Sequence, residues 1–290
     1  MHKLHVQHGR SRPIPRGALQ GGNIVTAETY DCVNYEEEGQ VAVITMNNPA
    51  RRNSLNFKMR RGLNAAFGRF EETDRMRVAI LTGVGTIFCA GQDTKDMVGL
   101  SEEERKENAK EMRKLYRTGA YEHLSRILKP VIAAVNGGAI GYGWFVAHGC
   151  DLVIAAESAY FWQNEPRFGF QGGGTAIATQ GMPFHLGVEI TLAAKLTAQR
   201  CYEIGLINKV VPDDRLMDEA KAMALNVCDL APLAVEYALK ACRSARLSSV
   251  VPSSVELARW QEHNVLGKTE DVAEGFKAFA EKRKPVWKGR

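Results

Sequence analysis

Residues 129–175 read KPVIAAVNGGAIGYGWFVAHGCDLVIAAESAYFWQNEPRFGFQGGGT, and this stretch decides the fold of the chain. It opens with an apolar run rich in β-branched residues, Val131–Val135, which has the length of a fully buried strand. Four glycines follow between residues 137 and 143, and the apolar residues 144–147 predict a short buried helix. A second apolar run, Leu152–Ala156, predicts another buried strand. Buried strands separated by a helix indicate the α/β class.

The glycine-rich turn predicts a site that stabilises negative charge. The first backbone N–H groups of a helix have no partner within the helix, and the positive end of the helix dipole lies behind them. Such a place binds an anion or holds an oxyanion that forms during a reaction. Glu165 follows close to Phe161 and Trp162, whose apolar rings disfavour its charged form and suit it to act as a general base. An oxyanion site with a carboxylate indicates enolate chemistry, whereas a capping role or a pairing with Arg167 is the alternative interpretation of Glu165.

Strands and helices alternate through the rest of the chain. Before the central stretch, the pattern predicts paired strands Tyr30–Tyr35 and Val41–Met46 across an acidic turn at residues 36–39, a helix Ser54–Phe70, a strand Val78–Thr82 and a charged helical region Ser101–Leu128. After it, the pattern predicts helices Phe184–Ala194, Ala198–Gly205, Arg215–Asp229, Pro232–Ala245, Val255–Gly267 and Glu270–Lys282, the last capped by Thr269, and a short strand Ile207–Val211. This order predicts crossover connections between the strands of one sheet.

Composition divides the chain into three regions. Residues 1–27 hold four of the five net positive charges and no acid, and they read as a flexible basic N-terminal extension. Residues 28–212 form the predicted α/β core, and residues 213–290 form a predicted C-terminal helical region. An organellar transit peptide is the alternative for residues 1–27, although their Pro-x-Pro and Gly-Gly elements oppose an amphipathic helix. We therefore expect a cytoplasmic protein, or an organellar one if the extension is a transit peptide.

Composition also excludes several classes of function. No apolar run approaches the length that spans a bilayer, so no membrane partner is expected. The six cysteines are scattered without a C-x-x-C pair, which favours free thiols and opposes both a disulfide framework and a zinc site. The region after residue 27 is close to neutral, which disfavours nucleic acid as a partner.

Six short signatures occur in a fixed order along the chain. They are Asn48-Pro49 with Arg52–Leu55, Phe88–Asp93, Lys129–Gly143, Glu165 ahead of Gly172–Thr175, Gly205–Asn208, and Thr269–Asp271 with Glu274-Gly275 and Glu281–Arg283. Each is weak alone, but the ordered set is specific. From about residue 33 to residue 290 the chain resembles the crotonase superfamily, also called the enoyl-CoA hydratase/isomerase family.

The resemblance implies a fold, a substrate and an assembly. The implied fold is a crotonase-like spiral of ββα units with a C-terminal helical region that trimerises, so we expect a homotrimer or a hexamer made as a dimer of trimers. The implied substrate is an acyl-CoA thioester. The resemblance implies no metal, nucleotide or prosthetic group, and coenzyme A itself is part of the substrate.

The resemblance also implies the residues of the site. The backbone N–H groups of Gln92 and Tyr142 would grip the thioester oxygen, and Glu165 would be the general acid and base. The matching CoA region is lined by Arg52, Ser54, Ala90, Asp93 and Lys95, of which Asp93 is interpreted as an acid that stabilises the turn. The large side chains of Trp144, Phe145 and Trp162 indicate a bulky or cyclic acyl group.

Two positions depart from the family pattern. Hydratases of the family use two glutamates that share one water, and the first of these positions is Phe145 here, while Tyr142 stands where glycine is usual. A lone carboxylate favours double-bond isomerisation over hydration. The alternative enzymes are a hydratase or a carbon–carbon hydrolase or lyase for an unusual bulky acyl-CoA, with Tyr142, Gln92 or His148 supplying the missing group. A non-catalytic member that binds acyl-CoA or RNA is the alternative outside enzymes.

Overall fold

The computed structural model describes most of the chain. It covers residues 26–95, 101–104, 106, 107, 110, 127–171, 182–192, 194–248 and 268–286, with the backbone alone for 244–248. Strands and helices are numbered along these described residues.

Two sheets form the framework. The larger sheet has seven strands in the spatial order β1 (Thr26–Tyr30), β2 (Val33–Glu38), β3 (Val41–Met46), β4 (Val78–Gly83), β5 (Val131–Val135), β7 (Leu152–Ala156) and β10 (Lys209–Val211). The smaller sheet has the order β6 (Gly138–Ile140), β8 (Tyr160–Trp162) and β9 (Lys195–Thr197). β1 to β3 pair antiparallel, whereas β3, β4, β5, β7 and β10 pair parallel.

The central parallel strands are covered on both faces. Every residue of β4 and β5 is buried, which is why these segments read as continuous apolar runs rather than alternating ones. The described α-helices are α1 (Phe57–Glu72), α2 (Tyr142–Gly149), α3 (Phe184–Thr191), α4 (Ala198–Glu203), α5 (Leu216–Cys228), α6 (Pro232–Ser248) and α7 (Glu270–Ala280), with 3₁₀ turns at Pro49–Arg51, Glu165–Phe168 and Asp213–Arg215. The predicted cap of α7 is confirmed, because the Thr269 hydroxyl accepts a hydrogen bond from the Val272 N–H at 3.3 Å.

The predicted turn of the N-terminal hairpin, at residues 36–39, is misplaced. The acidic residues Glu36–Glu38 belong to β2, and the turn between β2 and β3 consists of Gly39 and Gln40. The side chains of β2 alternate between the two faces of the sheet, and this alternation directs Glu37 into the protein, where it is fully buried. Its charge is compensated there because Arg75 forms an ion pair with its carboxylate.

Several other elements differ from their predicted bounds at the ends. α1 begins at Phe57 rather than Ser54, because Asn56 caps the helix by accepting a hydrogen bond from the Met59 N–H. β1 already contains Thr26, two residues before the predicted core boundary at residue 28. The predicted helix Val255–Gly267 and most of the charged region Ser101–Leu128 lie outside the described residues.

Two searches across the described residues bear on function. None of the single helices there is long and apolar enough to cross a membrane; the segments Asp213–Cys228 and Pro232–Arg243 pass that test together by length and composition, with a bend of 108° between them. The same part of the chain contains no group of three or more His, Cys, Asp or Glu side chains that could hold a metal ion.

Candidate active site

The two segments that carry the expected N–H donors meet in the structure. Gly91, which precedes Gln92, lies so close to the second segment that a Cβ there would stand 2.5 Å from the Ile140 carbonyl oxygen and 3.0 Å from the Tyr142 nitrogen. An isolated parallel bridge between Cys89 and Ala139 holds the segments in register. Gln92 and Tyr142 are therefore neighbours in space although distant in sequence.

Tyr142 is the first residue of α2, so the helix begins two residues before the predicted start at Trp144. The short strand β6 lies between β5 and α2, where the sequence predicted only a glycine turn, and Gly141 makes the turn with a φ of +53°. The Gly141 N–H donates to the Trp162 carbonyl at 2.7 Å, which ties the start of α2 to the end of β8. The N–H of Tyr142 thus lies in the first turn of a helix, where such a group has no partner within the helix.

The carboxylate of Glu165 lies against this helix start. A Cβ on Gly141 would stand 3.1 Å from Glu165 Oε1 and 3.0 Å from Asn164 Oδ1. Any larger residue at position 141 would therefore displace the carboxylate. The structure thus brings Glu165, Tyr142 and the Gly91–Gln92 segment together at one place, which is the arrangement expected of an oxyanion site with an adjacent base.

The turn that carries Glu165 is supported by the C-terminal helix. Glu165 opens the 3₁₀ turn Glu165–Phe168, and the Phe168 ring packs against Phe276 and Phe279 of α7 at centroid distances of 6.1 Å and 5.1 Å. Gly275 lets the two backbones approach, because a Cβ there would stand 2.7 Å from the Phe168 carbonyl oxygen. The position of the carboxylate therefore depends on a helix more than 100 residues away in the chain.

Gly275→Ala is expected to lower activity by moving that turn. Alanine normally favours a helix over glycine by about 1 kcal/mol, so a loss of stability here would come from the collision with Phe168. Gly68→Ala is the matched control, because Gly68 also lies in a helix and nothing stands within 4 Å of the added Cβ. Thermal unfolding and turnover of both variants check this expectation, which fails if the two substitutions have the same effect.

Phe145 stands where the resemblance implies a glutamate. Its side chain is 3% exposed, and its ring meets the Tyr142 ring edge-on at 5.8 Å between centroids. The two residues are three positions apart, so they share one face of α2. A buried phenyl ring beside Tyr142 contributes no acid or base from this face.

Asp93 ties together the loops of the predicted CoA region. It is 4% exposed, and it accepts two hydrogen bonds from Arg51 at 2.9 Å and 2.8 Å and one from the Ser54 hydroxyl at 2.7 Å. The Lys95 N–H also donates to it at 3.1 Å. This geometry matches the interpretation of Asp93 as an acid that stabilises the turn.

The other predicted CoA-binding residues flank that acid. The Ala90 N–H donates to the Arg52 carbonyl at 3.1 Å, and the side chains of Arg52 and Lys95 are exposed. Their contact with coenzyme A stays a prediction.

The three aromatic residues that were predicted to contact the acyl group, Trp144, Phe145 and Trp162, lie in different environments. Trp144 is 2% exposed, packs edge-on against Phe161 at 6.1 Å, and lines a small core cavity together with His148 and Cys201. Trp162 is half-buried, and the guanidinium of Arg167 lies 5.4 Å from its ring centroid. Phe145 packs against Tyr142 and is therefore the ring that lies beside a predicted N–H donor. Contact of any of the three rings with an acyl group stays a prediction.

Sequence reasoning missed one buried cation at this site. Arg60 of α1 is 7% exposed, and its guanidinium donates to the Gln92 side-chain oxygen and lies 5.1 Å from the Tyr142 ring centroid. A signal was present, because Arg60 stands three residues before Leu63 and seven before Phe67 on the apolar face of α1. A lone arginine on such a face needs a buried polar partner.

The chain is similar to known proteins over most of its length. The sequence model of the enoyl-CoA hydratase/isomerase family matches residues 36–290 of this chain. A probable enoyl-CoA hydratase of Rhodobacter capsulatus is 37% identical over 267 residues, covering 90% of this chain and 100% of that protein. A probable mitochondrial enoyl-CoA hydratase of Dictyostelium discoideum is 33% identical over 255 residues, covering 87% and 89% respectively. The solved structure of a methylmalonyl-CoA decarboxylase is 26% identical with a TM-score of 0.76, covering 91% of this chain and 100% of that one.

These matches confirm the resemblance that the six signatures indicate. They extend over most of the chain, and the solved structure shares its mixed α/β architecture. An acyl-CoA thioester as substrate is consistent with the family. The chain belongs to the enoyl-CoA hydratase/isomerase family of enzymes, the crotonase superfamily.

Proposed function

We propose that this enzyme moves the double bond of an enoyl-CoA thioester, with Glu165 carrying the proton. The observation that supports this most is the position of the Glu165 carboxylate beside Gly141, next to the backbone N–H of Tyr142 and the Gly91–Gln92 segment. A base and two oxyanion donors in one place suit a substrate whose carbonyl oxygen becomes negative when a neighbouring carbon loses a proton.

The chemistry needs one carboxylate only. Glu165 removes a proton from the α-carbon of a β,γ-unsaturated thioester, and the electron pair of that C–H bond delocalises onto the thioester oxygen as a dienolate. The N–H groups of Gln92 and Tyr142 hold this oxygen. The protonated Glu165 then returns the proton to the γ-carbon, which leaves the double bond between the α- and β-carbons.

Hydration is the second candidate, and the names of the relatives favour it. The Rhodobacter and Dictyostelium relatives are both named as probable enoyl-CoA hydratases. Addition of water needs a group that orients the water while another delivers the proton, and Phe145 stands where the family has its other glutamate. We therefore favour isomerisation, with Tyr142, Gln92 or His148 as the side chains that would assist water in a hydratase.

Carbon–carbon cleavage of a bulky acyl-CoA is a third candidate. It also proceeds through an enolate, and the solved relative named as a methylmalonyl-CoA decarboxylase has a TM-score of 0.76 with this chain. The same two N–H donors would serve it, with the departing carbon taking the place of the proton.

Three assays on one set of thioesters test the proposal. α-Proton exchange in deuterated water, double-bond migration and water addition are measured by mass spectrometry on 2-enoyl-, 3-enoyl- and saturated acyl-CoA thioesters of several sizes. Exchange and migration that exceed water addition support isomerisation. Water addition faster than migration makes the enzyme a hydratase, and binding without exchange makes it a non-catalytic acyl-CoA-binding member.

The proposed assembly is a homotrimer or a dimer of trimers, without a cofactor beyond the coenzyme A of the substrate. Large apolar side chains that lie exposed in the single chain support association, among them Phe184 at 78% and Leu192 at 74%. Light scattering coupled to size-exclusion chromatography measures the mass directly. A monomeric mass would contradict the proposal.

The proposed location is the cytoplasm, with an organelle as the alternative if residues 1–27 act as a transit peptide. The alternative gains support from the Dictyostelium relative, which is named as mitochondrial. Residues 1–27 fused to a fluorescent protein in a eukaryotic cell distinguish the two, because a transit peptide would move the fluorescence into an organelle.

A further inference from the structure

We propose that Arg60 is a positioning residue that couples the two halves of the oxyanion site and holds a positive charge beside it. The inference rests on the proposed function, because it concerns how the donors of Gln92 and Tyr142 are kept in place.

Arg60 reaches the first half of the site through two hydrogen bonds. Its Nε donates to the Leu55 carbonyl at 3.1 Å, and its Nη2 donates to the side-chain oxygen of Gln92. The Leu55 N–H in turn donates to the Gly91 carbonyl at 2.7 Å. The guanidinium therefore braces the start of α1 and the Gly91–Gln92 segment against each other.

Arg60 reaches the second half through the ring of Tyr142. The guanidinium carbon lies 5.1 Å from the Tyr142 ring centroid, within the range of a cation–π contact. The same ring meets Phe145 edge-on at 5.8 Å. Arg60 and Phe145 thus hold Tyr142 from two sides, and the planar guanidinium makes both contacts at once in a way that a lysine ammonium cannot reproduce.

The charge of Arg60 adds an electrostatic effect to this bracing. Its side chain is 7% exposed, so water screens its field weakly, and a buried cation favours negative charge forming nearby. The field reaches the segment before Gly91: burial raises the pKa of Cys89 to about 12, and a backbone hydrogen bond with Gly91 and the Arg60 charge both oppose that rise. The negative charge that forms on a thioester oxygen at Gln92 and Tyr142 would be stabilised by the same field.

The proposal predicts a specific kinetic pattern. Loss of Arg60 should allow Gln92 and Tyr142 to shift, and a displacement of about 1 Å at a reacting centre typically costs about 10²-fold in rate. The predicted CoA region lies around Asp93 rather than Arg60, so substrate binding should change little. We expect kcat for α-proton exchange to fall by about 10²-fold while KM stays within a few-fold.

The test compares Arg60→Met with Arg61→Met in the full-length protein. Arg61 is the adjacent arginine of α1, but its side chain is 48% exposed and pairs with Asp31 at 2.7 Å. Besides kcat and KM, the absorption spectrum of bound cinnamoyl-CoA is recorded. Hydrogen bonds and positive charge at the thioester oxygen shift this conjugated chromophore to longer wavelength, which a purely structural role of Arg60 would leave unchanged. The expected result is loss of the shift and of exchange in Arg60→Met, with both retained in Arg61→Met.

Arg60→Lys keeps the proposal testable if Arg60→Met does not fold. Lysine retains the charge but lacks the planar fork, so a folded Arg60→Lys protein should keep part of the spectral shift and lose most of the exchange rate. An Arg60 variant that is folded and matches the wild type in both readouts overturns the proposal. A wild-type protein that neither exchanges protons nor shifts the spectrum contradicts the proposed function itself, and the Arg60 proposal falls with it.

Discussion

Glu165→Gln is expected to reduce α-proton exchange by about 10²–10⁴-fold, the range typical for loss of a general acid or base. Glutamine has nearly the same size and keeps the contact of position 165 with Gly141, where the carboxylate oxygen lies 3.1 Å from the place of a Cβ. The amide, however, cannot accept the α-proton. Affinity for a saturated acyl-CoA should therefore change little while exchange and double-bond migration collapse together.

Exchange of the α-proton in deuterated water is the direct measurement for this variant. Glu157→Gln serves as the control, because Glu157 is exposed at the end of β7 and has no place in the proposed site. Equal exchange in wild type and Glu165→Gln would remove Glu165 from the mechanism and direct attention to His148 and Tyr142. Loss of migration with exchange intact would make Glu165 the group that returns the proton to the γ-carbon.

Gly91→Ala is expected to lower exchange by about 10²–10³-fold, the usual cost of one lost oxyanion donor. The new Cβ would stand 2.5 Å from the Ile140 carbonyl oxygen and 3.0 Å from the Tyr142 nitrogen, so β6 and the start of α2 must move away from Gln92. The two donors would then no longer reach one oxygen. Since Glu165 lies beside Gly141 in the same segment, the distance between base and donors should change as well.

Gly85→Ala separates this collision from backbone strain. Gly85 has a φ of +76°, close to the +84° of Gly91, but nothing lies within 4 Å of its Cβ position. Both substitutions therefore carry the cost of a left-handed conformation, about 1–2 kcal/mol, and only Gly91→Ala separates the site. Exchange rates, the cinnamoyl-CoA spectrum and thermal unfolding of both variants are compared. A similar loss of exchange in the two would show that strain alone is responsible.

Buried elements with strong local patterns were predictable from the sequence. β5 and β7 lie at their predicted bounds, because strands covered on both faces read as continuous apolar runs. The strands β6, β8 and β9 were missed, since each has three residues and no periodicity can be recognised over that length. The acidic residues of β2 were wrongly assigned to the turn because the partner that compensates buried Glu37 is Arg75, 38 positions further along the chain.

The sequence by itself determined the family and the order of the main strands and helices, and it supplied the residues that are proposed for the site. Glu165 supplies a carboxylate and Phe145 supplies none, whatever the exact geometry. These conclusions depend on residue identity and short-range pattern, which a linear chain displays directly.

Only the tertiary structure decided how those groups meet. It places Gly91 against Tyr142, Glu165 against Gly141, and Gly275 against the turn that carries the carboxylate. It also buries Arg60 against Gln92, 32 positions away, where local pattern had marked only the apolar face of a helix. The physical reason is that a close approach of backbones and a buried charge are each set by partners from distant segments, and no local pattern specifies which segments those are.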